Sequence, residues 1–466
     1  MVFSSFTFLF VFLPLVFLMY FVVKKRNYRN IVLFIFSLIF YAWGEPVYVL
    51  LMILSIIVNY IIALKMEKAT SSRKKKLMIM DVIFNLGIIG FFKYGNFIVQ
   101  NINCIFHSNI AQMEIGLPIG ISFYTFQILS YVIDVYRKKV SAQKSIINLG
   151  MYITLFPQLI AGPIVRYETI VDEIENRKES FDQVTEGIRR FIIGLGKKVL
   201  IANQVALVAD TIYGGDLATT GTISLWLAAI AYTLQIYFDF SGYSDMAIGL
   251  GKVFGFHFLE NFNYPYIAKS ITDFWRRWHI SLSTWFRDYV YIPLGGNRVN
   301  KLKWLRNILI VWMLTGLWHG ASWNFILWGL YYGILLILEK LFLGKLIEKL
   351  PKVVQHIYAL FFIIIGWVIF RVEDLSQIGL VLQRMFTYKA SGIMNNIILN
   401  FDIFTSLPYI MIGIIGCIPI LKTIKEKVKK GVPYYIITNT CTYAVFIISI
   451  CFLLSATYNP FIYFRF

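Results

Sequence analysis

The sequence predicts an all-α polytopic membrane protein, with about 11 true spans if a perpendicular span takes ~20 residues. Three observations carry that prediction. Of the 466 residues, 58% are hydrophobic and only 15% are charged, against about 45–50% and about 25% in an ordinary soluble domain. Soluble cores cannot hide that apolar surplus, because a chain this long would divide into domains with charged surfaces. Apolar stretches recur from end to end, and basic residues gather in the short polar gaps between them. A soluble multidomain enzyme is excluded, and so is a fibrous or disordered chain, since 12 Pro and 31 Gly form no repeat.

Residues 3–23 are apolar, with no basic segment before them and no small-x-small site after, so they form a first membrane helix and not a removed leader. The 31–43 and 47–64 stretches part at Gly44-Glu45-Pro46, a tight turn. Further stretches lie at 77–99, 115–135, 145–165, 191–210, 222–240, 304–318, 322–343, 355–370, 405–421 and 435–456. Several are too short to cross alone. They read as re-entrant or interfacial helices, since irregular backbone at membrane depth needs protein or a cavity around it. The longest hydrophilic stretch, Arg166 to Arg190, is a solvated loop with a helix, so residues 1–466 form a single membrane-embedded domain.

The net charge of +19 would suggest nucleic acid in a soluble protein. Here Lys24, Lys25, Arg26 and Arg29, then Lys65, Lys68 and Arg73 to Lys76, flank apolar runs. They mark the cytoplasmic face of a cell membrane and favour anionic lipid headgroups, which puts the N-terminus on the extracytoplasmic side. The partner of these charges is lipid, not nucleic acid. Four cysteines without a C-x-x-C pair and five histidines without ligand spacing give no metal site.

Two segments concentrate costly residues. From Asp273 to Tyr289, a helical wheel puts Asp273, Arg276, Arg277, Ser281 and Arg287 on one arc and Phe274, Trp275, Trp278 and Trp285 on the other, with His279 at the boundary. The bland reading is one interfacial amphipathic helix. The functional reading is the wall of a polar cavity with His279 facing in, and Asp273 pairs with Arg277 at i, i+4. In Thr315 to Trp323, His319 sits at a helix break between Gly316 and Gly320, which admit a close neighbour. A core histidine bonded to a carbonyl is the alternative. Asp239 and Asp245 are intramembrane acids, read as a buried network with Ser241 and Ser244.

Phe156-Pro-Gln-Leu-Ile-Ala-Gly-Pro163, Tyr237-Phe-Asp-Phe-Ser-Gly-Tyr-Ser-Asp245, Asp273-Phe-Trp-Arg-Arg-Trp-His279 through Tyr291-Ile-Pro-Leu-Gly-Gly-Asn-Arg298, and Gly316-Leu-Trp-His-Gly320 together resemble the membrane-bound O-acyltransferase family. The Pro-Leu-Gly-Gly-Asn-Arg run makes the chain most similar to the bacterial alginate O-acetyltransferase branch. The resemblance implies a ring of tilted helices around a central tunnel. It also implies that His319 is catalytic and His279 a second active-site polar group; the reading of the residues themselves adds Asp273, Arg276, Arg277, Asp239 and Asp245 as a tunnel or polar network. The C-terminal tail, residues 457–466, ends in Phe461-Ile-Tyr-Phe-Arg-Phe466. Some bacterial members end this way, and the tyrosine, here Tyr463, is implied to hold the acyl group. An aromatic belt anchor is the bland reading of that tail.

The expected function is therefore a membrane O-acyltransferase with no permanently bound cofactor. It moves an acyl group, acetyl first, from a cytoplasmic thioester, acetyl-coenzyme A or an acyl carrier protein, towards a cell-surface or secreted polysaccharide. The absence of a soluble domain calls for an extracytoplasmic SGNH-hydrolase-like partner. D-alanyl transfer to teichoic acid is the nearer alternative. A multi-helix transporter is the alternative from another class, but no matching pair of broken helices appears in the two halves. Asn459-Pro460 should stop the last helix and free the tail to swing.

Overall fold

The computed structural model describes residues 1–388, 397–428, 431–455 and 462. The described residues are overwhelmingly helical and contain no strand. The chain folds as two compact units, residues 1–191 with 244–259, and residues 192–243 with 260–466.

The first unit opens with α1 (Phe8–Val22) and α2 (Arg26–Ala42), followed by α3 (Tyr48–Glu67) and α4 (Ser71–Phe106). The turn expected at Gly44-Glu45-Pro46 separates α2 from α3. A phenylalanine cluster joins the start of α1 to α2: Phe12 meets Phe40 at 5.6 Å and Phe156 at 5.4 Å between ring centroids. Next come α5 (Ile121–Tyr136), buried on nearly every face, and α6 (Ile146–Thr154). The 145–165 stretch is not one helix. Leu155 turns out of helical geometry, and Pro157 follows, where a helix can restart but not continue. An ion knot closes this unit: Glu179 takes both Arg26 and Arg29, and buried Arg177 donates to the Phe254 carbonyl and to Asn30 Oδ1. Lone cations at this depth would be costly, and shared acceptors remove that cost.

The helices α7 (Phe181–Tyr213) and α8 (Thr222–Val253) carry residues of both units. The second unit then contains α9 (Ile271–Arg277), α10 (Ile280–Phe286), α11 (Lys301–His319), α12 (Trp323–Ile347), α13 (Lys352–Arg371), α14 (Ile397–Gly416) and α15 (Val432–Ser455). Where one amphipathic helix was expected over 273–289, there are two short ones. The junction is His279, in the left-handed region at φ 43°. α11 and α12 lie in backbone contact: a Cβ on Gly316 would collide with the Phe325 carbonyl, and one on Gly329 with the Trp312 carbonyl. Small residues at a crossing let membrane helices approach this closely. Among the described residues, seven helices are long and apolar enough to cross a membrane: α3, α4, α7, α8, α12, α13 and α15.

Candidate active site

The site grows from the break between α9 and α10. Ser270 caps α9 by accepting the Asp273 N–H at 3.0 Å, and buried Glu339 of α12 accepts the N–H groups of Ile271 and Thr272 at 2.7 and 2.9 Å. At the other end the helix stops because a neighbouring segment takes over its hydrogen bonds. The Asn263 N–H donates to the Arg277 carbonyl at 2.9 Å, and the Ile280 N–H donates to the Asn261 carbonyl at 3.0 Å. With both bonds supplied from the side, Trp278 and His279 leave the helix at little hydrogen-bonding cost.

The Asn261 side chain then fixes the histidine. Its Oδ1 accepts the Ser281 N–H at 3.2 Å, the Ser281 hydroxyl at 2.8 Å and His279 Nδ1 at 3.1 Å. A backbone N–H can only donate, so this amide atom is the oxygen, and His279 Nδ1 must carry a proton. Burial first, and His319 second, hold the His279 ring well below the usual imidazole range. The ring is therefore neutral near pH 7, and Nε2 carries the lone pair. Nε2 has no hydrogen-bond partner among the described residues.

His319 is the last residue of α11 and is 6% exposed. Its ring is caged edge-on by Trp318, Trp328 and Phe370, with centroids 5.0, 5.1 and 5.3 Å away. His279 contacts Phe240 at 4.6 Å and the same Trp318 at 5.8 Å. One tryptophan thus lies against both histidines. A cavity of about 330 Å³ in the same unit is walled by Trp275, Trp312 and Trp304 and edged by Arg287, Asn297 and Lys340; neither histidine lines it. Thr315, one turn before His319, and Ser283 also line it. Buried imidazoles packed among aromatic rings, one with an unprotonated Nε2, suit proton transfer to a substrate shielded from water.

The other expected residues fall into place unevenly. Asp273 and Arg277 form the i, i+4 pair at 2.8 Å, both part-exposed, and Arg276 is exposed. Asp239 is held by a cation, Lys198 at 2.6 Å, and not by the serines read beside it. Asp245 belongs to the other unit and pairs with Arg190 at 2.8 Å. Tyr463 lies outside the described residues. The expected stop at Asn459-Pro460 lies outside them too; Ile462 is 2% exposed and donates its N–H to Asp239 Oδ2 at 2.8 Å. Lys198, Glu339 and Asn261 were missed. The first two carried a signal, charges inside apolar runs; Asn261 carried none, because it acts through a fold-made contact eighteen residues away in sequence.

The profile described as MBOAT, membrane-bound O-acyltransferase family, matches residues 137–371. The chain is 44% identical over 394 residues to "Probable alginate O-acetylase AlgI" of Azotobacter vinelandii, covering 83% of this chain and 78% of that protein. It is 38% identical over 421 residues to a "Peptidoglycan O-acetyltransferase" of Helicobacter pylori, covering 83% and 80%. A "Teichoic acid D-alanyltransferase" of Bacillus subtilis is 33% identical over 238 residues, covering 47% of this chain and 58% of that protein.

Proposed function

Since the chain belongs to the membrane-bound O-acyltransferase family, as a multi-pass membrane O-acyltransferase, we propose that it passes an acetyl group from a cytoplasmic thioester through the cell membrane to O-acylate a cell-surface or secreted polysaccharide. The observation that carries this reading is the pair of buried histidines sharing Trp318, one of them fixed in its tautomer by Asn261. Acetyl transfer is favoured over D-alanyl transfer because both O-acetyl relatives align over most of the chain and the D-alanyl relative over less than half.

In this reading His319 is the general base. It takes the phenolic proton of Tyr463 as that oxygen attacks the thioester carbonyl. The carbon–sulfur bond breaks, and the thiolate leaves with the proton. An ordinary phenol, pKa ≈ 10, is too weakly ionised at neutral pH to attack without such a base. His279 offers its Nε2 lone pair as the second polar group. Arg287 and Lys340 beside the cavity suit the phosphates of an acetyl-coenzyme A or acyl-carrier donor, although Arg287 already shares its charge with Asp288 at 2.7 Å. An extracytoplasmic SGNH-hydrolase-like partner takes the acetyl group from Tyr463 to the glycan. The basic clusters put the N-terminus outside.

His319→Ala and His319→Gln test the reading. Each should lower acetyl transfer from a radiolabelled thioester by ~10²-fold or more, with membrane insertion and thermal stability retained by the glutamine variant. A folded glutamine variant with the parent rate would remove His319 from the chemistry.

A further inference from the structure

We infer that the Lys198–Asp239 pair is a docking site for the chain's own C-terminal segment, with Asp239 a positioning residue for the tail that bears Tyr463. The inference rests on the proposed role of that tail in acyl transfer, but its own evidence is separate.

Asp239 lies within α8 and is 1% exposed; Lys198 on α7 is 4% exposed. Burying an ion pair is repaid only when the remaining lone pairs also find donors. Lys198 approaches Oδ1 at 2.6 Å, and the donor that satisfies Oδ2 is the backbone N–H of Ile462 at 2.8 Å. That residue lies more than two hundred positions further along the chain. Its side chain is 2% exposed and belongs to the same apolar cluster as Phe238, Ile410 and Cys417. The carboxylate therefore reads main chain and not a side-chain chemistry, while the isoleucine pocket sets depth. Two anchors of different kind thus hold this one residue.

The location gives the docking its use. Phe240, the residue after Asp239, packs against the His279 ring at 4.6 Å. One stretch of α8 thus carries the tail anchor and part of the wall of the histidine site, and Tyr463 is the next residue after the anchored one. A purely structural ion pair would have no need of the tail.

Hydrogen exchange of the full-length protein in nanodiscs, followed by mass spectrometry of the C-terminal peptide, tests this. The Ile462 amide should be protected in the parent and should exchange at least tenfold faster in Asp239→Ala, with α8 protection as the folding control. Asp239→Asn keeps an acceptor oxygen but not the charge. Docking predicts that it restores most of the protection, whereas a structural pair predicts that it behaves like alanine. Ile462→Asp sets a second carboxylate against Asp239 without altering α8, so it should free the tail even if Asp239→Ala does not fold. Unchanged exchange in the Ile462 variant, or no rescue by asparagine, overturns the inference. Tyr463→Phe keeps the protected tail and separates the two ideas: normal glycan acetylation by that variant would end the acyl-carrier role while leaving the docking intact.

Discussion

Removing the Asn261 side chain should disable the site without touching either histidine. Asn261 Oδ1 accepts from Ser281 N–H, Ser281 Oγ and His279 Nδ1, at 3.2, 2.8 and 3.1 Å. In Asn261→Ala the hydroxyl can turn elsewhere, but the backbone and imidazole N–H groups stay buried without that acceptor. Stranded buried donors cost ~1–3 kcal/mol each, so the two together should cost about 3 kcal/mol, while Ser281→Ala, which deletes one hydroxyl, should cost about 1 kcal/mol. Losing the bond at Nδ1 also frees the ring to carry its proton on Nε2, the atom the mechanism needs bare. Acetyl transfer should fall at least about tenfold, ~1.4 kcal/mol of barrier, more than stability alone explains at permissive temperature. Asn261→Asp keeps all three acceptor contacts but places a negative charge beside the Nδ1–H. That charge favours imidazolium and raises the His279 pKa. Because the neutral ring is the working form, the acid limb of the rate profile should move to higher pH. The assay is radiolabelled acetyl transfer in membranes from pH 5.5 to 9, beside melting curves. An alanine variant with parent rate and stability, or an aspartate variant with an unshifted profile, would refute the assigned tautomer and its role.

Two further outcomes follow from the first unit and the topology. The Glu179 carboxyl feels burial, which raises its pKa, but hydrogen bonds from Arg26 and Tyr20 and the charges of Arg26 and Arg29 outweigh it and hold the group below its usual 4.5. A depressed folded pKa stabilises above the unfolded value and is lost as pH falls through the folded one. The melting-temperature gap between parent and Glu179→Gln should therefore be full at pH 7 and shrink below about pH 4.5; a gap constant down to pH 3 would contradict it. With the four native cysteines replaced, a cysteine introduced at Lys68 should resist a membrane-impermeant thiol reagent in intact cells and react in inverted vesicles, because the basic cluster marks the cytoplasmic face. Labelling from outside would invert the topology.

What the sequence made legible divides along the line between local and long-range causes. The membrane class, the Gly44-Glu45-Pro46 turn and the helix break at His319 follow from composition and from residues adjacent in sequence, and the structure keeps all three. The close crossing at Gly316 was legible for the same reason, since small residues have no other use in such a helix. The helical wheel over 273–289 failed because periodicity assumes that a segment satisfies its own backbone. Here residues 261–263 supply the missing bonds from outside, so a pattern fit for one helix holds a left-handed histidine at its centre. Asp239 failed in the same way. Serines close in sequence looked like its partners, yet the acid is neutralised by Lys198 and accepts from Ile462, neither of which any periodicity connects to it. A buried acid and a buried lysine in separate apolar runs each announce that a partner exists, because neither is tolerable alone. Only the fold says which groups meet, and here the Ile462 N–H meets Asp239 one residue from the helix position that walls His279.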